Sequence, residues 1–181
     1  MADSVSIRPL LDTDDDYSLM VRWLADRRVL EWVFGRDETY TLARVREEWN
    51  PQLLAVQHLW PYLIELDGTP IGYLQLVWVH AHAEGYGLAG DPGGTEHAYA
   101  FDLWIGEPEQ WGRGLGTAAC HAAIAALRAR GAQRILIDPR VMNERAVHVY
   151  TKVGFRTVKV LPGNELHEGI GWDCWLMELG P

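Results

Sequence analysis

The run Gln110-Trp111-Gly112-Arg113-Gly114-Leu115-Gly116-Thr117 narrows the possible folds of this chain more than any other. It follows a strand-like segment ending near Ile105 and opens an Ala-rich helical segment, Thr117 to Arg130. Alternating glycines let the backbone turn tightly and approach a ligand. Amides left free at a helix start, where the helix dipole is positive, suit phosphate oxygens. Arg113 adds a cation. A plain turn into a helix needs fewer glycines, so the pattern points to a bound diphosphate. A P-loop is excluded because no Gly-Lys-Ser/Thr follows. A dinucleotide fold fits Gly114-Leu115-Gly116-Thr117-Ala118-Ala119, with Asp138 about 20 residues on. It fits the surroundings poorly, because hairpins precede the motif and too little chain follows it.

The elements around this turn set the fold class. Alternation of Val5 and Ile7 with polar neighbours predicts a first strand, and Asp12 to Asp16 suit the start of a helix over about 14–26. A second helix is expected from Leu42 to about Leu54, with Thr39 or Thr41 as cap. Two apolar runs, 62–66 and 71–79, flank Asp67-Gly68-Thr69-Pro70 and predict a β-hairpin. A Gly-, Ala- and His-rich loop over 80–96 leads to a strand at 97–105. After the Gly-rich turn come a helix, a strand at 134–138, a helix over 143–153 and strands near 155–160 and 172–179. The expected order is β-α-α-β-β-β-α-β-α-β-β. This is an α/β (mixed α+β) fold, a central mixed sheet of seven strands covered by helices in one domain, 1–181.

Charge excludes several functions. The chain carries 25 acidic and 16 basic side chains, a net −9. Residues 1–100 hold 16 acidic and 7 basic ones, which is −9; residues 101–181 hold 9 of each, which is zero. Neither half offers the positive footprint that nucleic acid requires. No apolar run reaches the roughly 18–20 residues of a membrane span. The start, Met1-Ala2-Asp3-Ser4, lacks the features of a secretion signal. Cys120 and Cys174 are too few for a disulfide framework, so a reducing, cytoplasmic setting is expected, with a monomer or homodimer as the assembly. Both cysteines fall in expected core positions. His80 and His82 lack a third ligand at recognisable spacing, so no metal is expected.

Asp102 draws notice by its position alone. On a strand its face also holds Ala100 and Trp104, while Phe101, Leu103 and Ile105 face the other way. A carboxylate between two largely apolar faces must be paired, hydrated in a cleft, or costly.

The chain resembles the GCN5-related N-acetyltransferases. The resemblance rests on Gly112-Arg113-Gly114-Leu115-Gly116-Thr117 and on Asn143-Glu144-Arg145-Ala146-Val147-His148-Val149-Tyr150-Thr151-Lys152-Val153-Gly154-Phe155. One departure is that Trp111 stands where the family's phosphate loop begins with Gln or Arg. Within the superfamily the likeness is to aminoglycoside 6′-N-acetyltransferases, through Leu30-Glu31-Trp32, Pro70 to Gln75, Asp91-Pro92-Gly93, the Asp102 strand and Asp138-Pro139. Siderophore-type lysine N-acyltransferases are similar over the same regions. A non-catalytic CoA- or nucleotide-binding module is a further alternative, and it would leave Asp102 buried away from any cleft.

The resemblance implies an acetyl-CoA-dependent N-acetyltransferase acting on a primary amine of a small cationic acceptor. It implies that Leu103, Trp104, Ile105, the loop from Gly112 to Thr117, Asn143 and Tyr150 hold acetyl-CoA. Asp102 corresponds to the family's proposed base, and Trp32, Gln75 and Asp138 lie towards the acceptor. A backbone N–H at Leu103 or Trp104 would receive the oxyanion if the strand bulges there. Tyr150 would supply a hydrogen bond or proton to the departing thiolate. Trp32, with Asp37 and Glu38, would form a lid between the two early helices, offering a ring face and carboxylates to a cationic acceptor.

Overall fold

The computed structural model describes residues 4–91 and 93–181. Met1 to Asp3, and Pro92 of the Asp91-Pro92-Gly93 block, lie outside the described residues. Its seven strands are β1 (Val5–Pro9), β2 (Leu59–Leu66), β3 (Thr69–Trp78), β4 (Ala98–Ile105), β5 (Arg134–Ile137), β6 (Arg156–His167) and β7 (Ile170–Leu179). They form one sheet in the order β1-β2-β3-β4-β5-β7-β6. Among the described residues only β4 and β5 pair in parallel. Six α-helices cover the sheet: α1 (Asp14–Leu24), α2 (Arg27–Val33), α3 (Leu42–Glu48), α4 (Pro51–Val56), α5 (Leu115–Ala129) and α6 (Glu144–Val153). The expected mixed sheet of seven strands covered by helices is borne out.

Strand alternation sorts side chains to the two faces. Leu74, Leu76, Phe101 and Ile105 pack with Ala119, Ala123 and Leu127 of α5. The small side chains of α5 let the helix lie close to the sheet. Leu63 and Tyr73 face the other way, onto Tyr17, Met20, Trp23 and Leu24 of α1.

Three local differences from expectation have physical causes. The helix expected over 42–54 is two helices, because Asn50 caps α4 through its side chain and Pro51 occupies the first helical position. The stretch around Trp32 between the two early helices, expected as a lid, is α2, capped by the Asp26 side chain at Arg28 N–H. The last hairpin extends well beyond the strands expected near 155–160 and 172–179. A register shift between Leu161 and Glu165 absorbs Pro162-Gly163-Asn164 without ending β6.

One feature of the sheet creates a cleft. β4 pairs with β5 only over Ala98 to Ala100, whereas its pairing with β3 continues to Ile105. β5 is four residues long and is followed by Asp138-Pro139, where proline has no N–H to extend the ladder. Beyond Ala100 the two strands therefore part.

Candidate active site

The parted strands open a cleft of about 860 Å³. On the α5 and α6 side it is lined by Gly112, Gly114, Gly116, Thr117, Asn143 and Tyr150. Trp32, Phe34, Trp49, Tyr73 and Trp104 line the other side, with Gln75, Asp102, Leu103, Ile105 and Asp138 between. The structure thus gathers nearly every residue singled out in the sequence.

The Gly-rich turn forms the first compartment. Gly112 and Gly114 have φ of +78° and +81°, which L side chains rarely adopt. Gly114 is the N-cap of α5 and supplies no side chain to the first amides of the helix. A Cβ placed at Gly112, Gly114 or Gly116 would meet nothing within 4 Å, so the concave side is open. Trp111 replaces a polar ligand by an anchor. Its indole N–H donates to Ile105 O at 2.9 Å, and the Arg145 guanidinium lies 4.4 Å from its ring centroid. The loop is thereby tied to the end of β4, and Arg145 of α6 lines the cleft. Arg113, the cation expected there, hydrogen-bonds Gln110 and is not among the lining residues. Free amides, open glycines and Arg145 together fit the pyrophosphate of a coenzyme A thioester. Asn143 is the N-cap of α6, accepting from Ala146 N–H at 3.1 Å.

The free edge of β4 forms the centre. Gly106 N–H donates to Ile71 O at 2.8 Å, and the β3–β4 register runs unbroken from Gly72–Ile105 to Trp78–Tyr99. Antiparallel alternation then directs the N–H groups of 102 and 104 to β3, and those of 103 and 105 outward. The Ile105 carbonyl, bonded by Trp111, fixes the same phase. Leu103, not Trp104, therefore presents its amide to the gap. The β3–β4 register shows no bulge at this point; strand divergence exposes the donor instead.

Asp102 and its direct cross-strand partner Gln75 stand on the sheet face away from α5, where Tyr73 O–H donates to Gln75 Oε1 at 2.8 Å. The Asp102 carboxylate reaches solvent through the cleft, while protein surrounds it on the other sides. Desolvation, followed by the charge of Glu165, raises its pKa to about 6. Desolvation, then Asp102 and Glu165, raises Asp138 to about 7, although Asn164 donates to Asp138 Oδ2 at 2.9 Å. The two carboxyls titrate as interacting groups. Asn164 and Glu165 were not anticipated, because Pro162-Gly163 reads as the end of a strand; the continuation of β6 brings both residues to the cleft.

Tyr150 is buried, edge-on to Phe101 and Phe155 at 6.3 and 5.9 Å. Burial, with Cys120 and Asp102 nearby, holds its hydroxyl pKa well above 10, so it stays a donor. Burial pushes the Cys120 thiol up to about 12, unsuited to nucleophilic work. Asp37 and Glu38 do not line the cleft, and Glu38 pairs with Arg44 at 2.7 Å. His80 and His82 diverge, to Thr95 and to Gln57 O. Among the described residues no group of three His, Cys, Asp or Glu could hold a metal, and no helix is long and apolar enough to cross a membrane.

The model of the acetyltransferase (GNAT) domain matches residues 12–162. The chain belongs to this acetyltransferase family. GNAT enzymes use acetyl-CoA as acyl donor, and this chain is an acetyl-CoA-dependent N-acetyltransferase. A relative, aminoglycoside N(6′)-acetyltransferase type 1 of Klebsiella pneumoniae, is 34% identical over 155 residues, covering 84% of this chain and 74% of the relative. The crystal structure of aminoglycoside acetyltransferase AAC(6′)-Ib with coenzyme A superposes with a TM-score of 0.81 at 27% identity, covering 98% and 95% of the two chains. The same enzyme with paromomycin and acetyl-CoA gives 0.82 at 28%, covering 98% and 94%.

Proposed function

We propose that this enzyme transfers acetyl to the 6′-amine of an aminoglycoside, and so confers resistance on its host. The observation that carries the reading is the set of carboxylates, Asp102, Asp138 and Glu165, facing the free edge of β4 beside the phosphate cradle. That face suits an acceptor with several ammonium groups, and the relatives just described act on or bind aminoglycosides. The rival of a non-catalytic module is disfavoured by the opening of Asp102 into the cleft.

The mechanism follows from the geometry. Acetyl-CoA supplies the thioester carbonyl when bound. The amides at Gly112–Gly116 and Arg145 hold its diphosphate. Asp102, beside Gln75, receives the acceptor ammonium and orients it. With a pKa near 6, Asp102 is a better base than an ordinary carboxylate, and it takes the amine proton directly or through water. The Leu103 N–H donates to the carbonyl oxygen as negative charge develops there. Tyr150 donates to the departing sulfur. Trp32 and Asp138 contact the acceptor. Transfer is direct, in a ternary complex. The protein works as one domain in the cytoplasm, as a monomer or homodimer, without nucleic acid.

Acetyl-CoA turnover, followed by thiol release, across aminoglycosides, polyamines and lysine derivatives tests the acceptor. Aminoglycosides are expected to have the highest kcat/KM. Thiol release with lysine derivatives alone would overturn the choice.

A further inference from the structure

We propose that Arg140 is a positioning residue for the acceptor, joining α2 to the Glu165 carboxylate of β6 across the acceptor side of the cleft. This rests on the amine-acceptor reading above and deepens it.

Arg140 is 6% exposed, an unusual burial for a cation. Removing a guanidinium from water is costly unless its N–H groups are matched by acceptors. Here they are matched from two separate elements. Nη2 donates to the carbonyls of Glu31 and Trp32 at 3.1 and 2.8 Å, in the last turn of α2. Nε lies 3.2 Å from Glu165 Oε2. The Trp32 ring centroid is 5.6 Å from Cζ. The other Glu165 oxygen is 2.9 Å from Nε2 of His167, which is itself 5% exposed.

The base of the side chain is fixed to the sheet while its buried head reaches α2 and β6. Arg140 forms a bridge with Cys174 of β7, and its carbonyl accepts from Asn143 N–H at 2.9 Å. It stands two residues after Asp138. A single side chain thus ties the Trp32 end of α2 to Glu165 and to the sheet that carries both Glu165 and Asp102. The tip of the β6–β7 hairpin reinforces the joint, since Glu168 Oε1 accepts from Arg36 N–H at 2.6 Å.

A buried arginine needed only for folding has no reason to choose partners that line the acceptor compartment. This one holds three groups there: a ring face, a helix end and a carboxylate. The planar fork matters. A lysine at 140 has one compact head and cannot serve the α2 carbonyls and Glu165 together.

The test compares wild type with R140A, R140K and E165Q. In R140A the acceptor KM is expected to rise by about tenfold, because the reacting geometry is loosened rather than removed. Its acetyl-CoA affinity, measured by calorimetry, stays within about twofold of wild type, since Arg140 lies outside the phosphate cradle. Added guanidinium at low millimolar concentration restores part of the lost acceptor affinity in R140A and none in E165Q. R140K shows partial loss. E165Q raises KM for acceptors with several ammonium groups more than for a mono-amine. Unchanged acceptor KM in R140A and R140K, or parallel loss of acetyl-CoA affinity, would overturn the inference. If R140A does not fold, R140K and E165Q decide by the same criteria. No turnover by wild type refutes the acceptor reading instead. The positioning role is then read by amide exchange over residues 27–36 with coenzyme A bound. Faster exchange there in R140K, with β2 and β3 unchanged, supports it, and equal exchange overturns it.

Discussion

At Asp102 one carboxylate links the chemistry to a cost in stability. Its pKa of about 6 exceeds the usual carboxylate value near 4. Between those values the native state holds the proton more tightly than the unfolded chain, so raising the pH through that window weakens the fold. Asp102→Asn removes this penalty. Thermal unfolding is therefore expected at a higher temperature than wild type at pH 7.5, with the difference closing near pH 4. The same substitution is expected to lower kcat by at least about tenfold, with little change in acetyl-CoA affinity. Loss of cofactor binding would mean that Asp102 acts structurally. In wild type, kcat/KM should rise with pH through about 6 to 7, where Asp102 and Asp138 ionise. A profile flat across that range would remove the carboxylates from the proton path. Asp102 was legible in the sequence because a charge in an apolar strand demands an explanation. Glu165 was not, because its place depends on a register shift that no short pattern announces.

At the scale of elements, the loop before α5 depends on two different supports. Gly114→Ala forces a Cβ into the left-handed region, a cost of about 1–2 kcal/mol, although nothing crowds the site. Acetyl-CoA KM is expected to rise severalfold while kcat changes less. Trp111→Phe keeps an apolar ring but loses the hydrogen bond to Ile105 O that ties the loop to β4. It should raise acetyl-CoA KM as well, without altering the relative preference among acceptors. A change in that preference would place Trp111 in the acceptor site. The loop and the two helices that line the cleft, α5 and α6, were readable from glycine spacing, an Asn cap and helical periodicity. The acceptor side was harder, because α2 is seven residues long and hidden among charges, and the break between α3 and α4 turns on Asn50-Pro51 alone. The alternation of β4 showed which side chains share a face. The parting of β4 from β5 decided which amide is available, and it depends on the length of a neighbouring strand.

Across the whole molecule, the net charge is uneven along the chain, while the carboxylates of the cleft come mainly from its neutral second part. The first 100 residues carry the entire net −9, and they supply α2, Trp49, Tyr73 and Gln75 to the acceptor side of the cleft. The neutral second part provides the phosphate cradle and Arg145, and also the carboxylates Asp102, Asp138 and Glu165. Added salt is expected to raise the KM of a polycationic acceptor more than that of a mono-amine, because screening weakens long-range attraction. Equal salt dependence would make the acidity a matter of solubility. The topology was legible because hairpins and β-α-β units leave distinct patterns. The identity of the acceptor was not, since carboxylates and rings bind many amines. The most direct measurement is thiol release from acetyl-CoA with two aminoglycosides identical except for an amine or a hydroxyl at the 6′ carbon. Turnover with the amine and none with the hydroxyl is the predicted result; equal turnover with both, or none with the amine, would contradict 6′-N-acetylation.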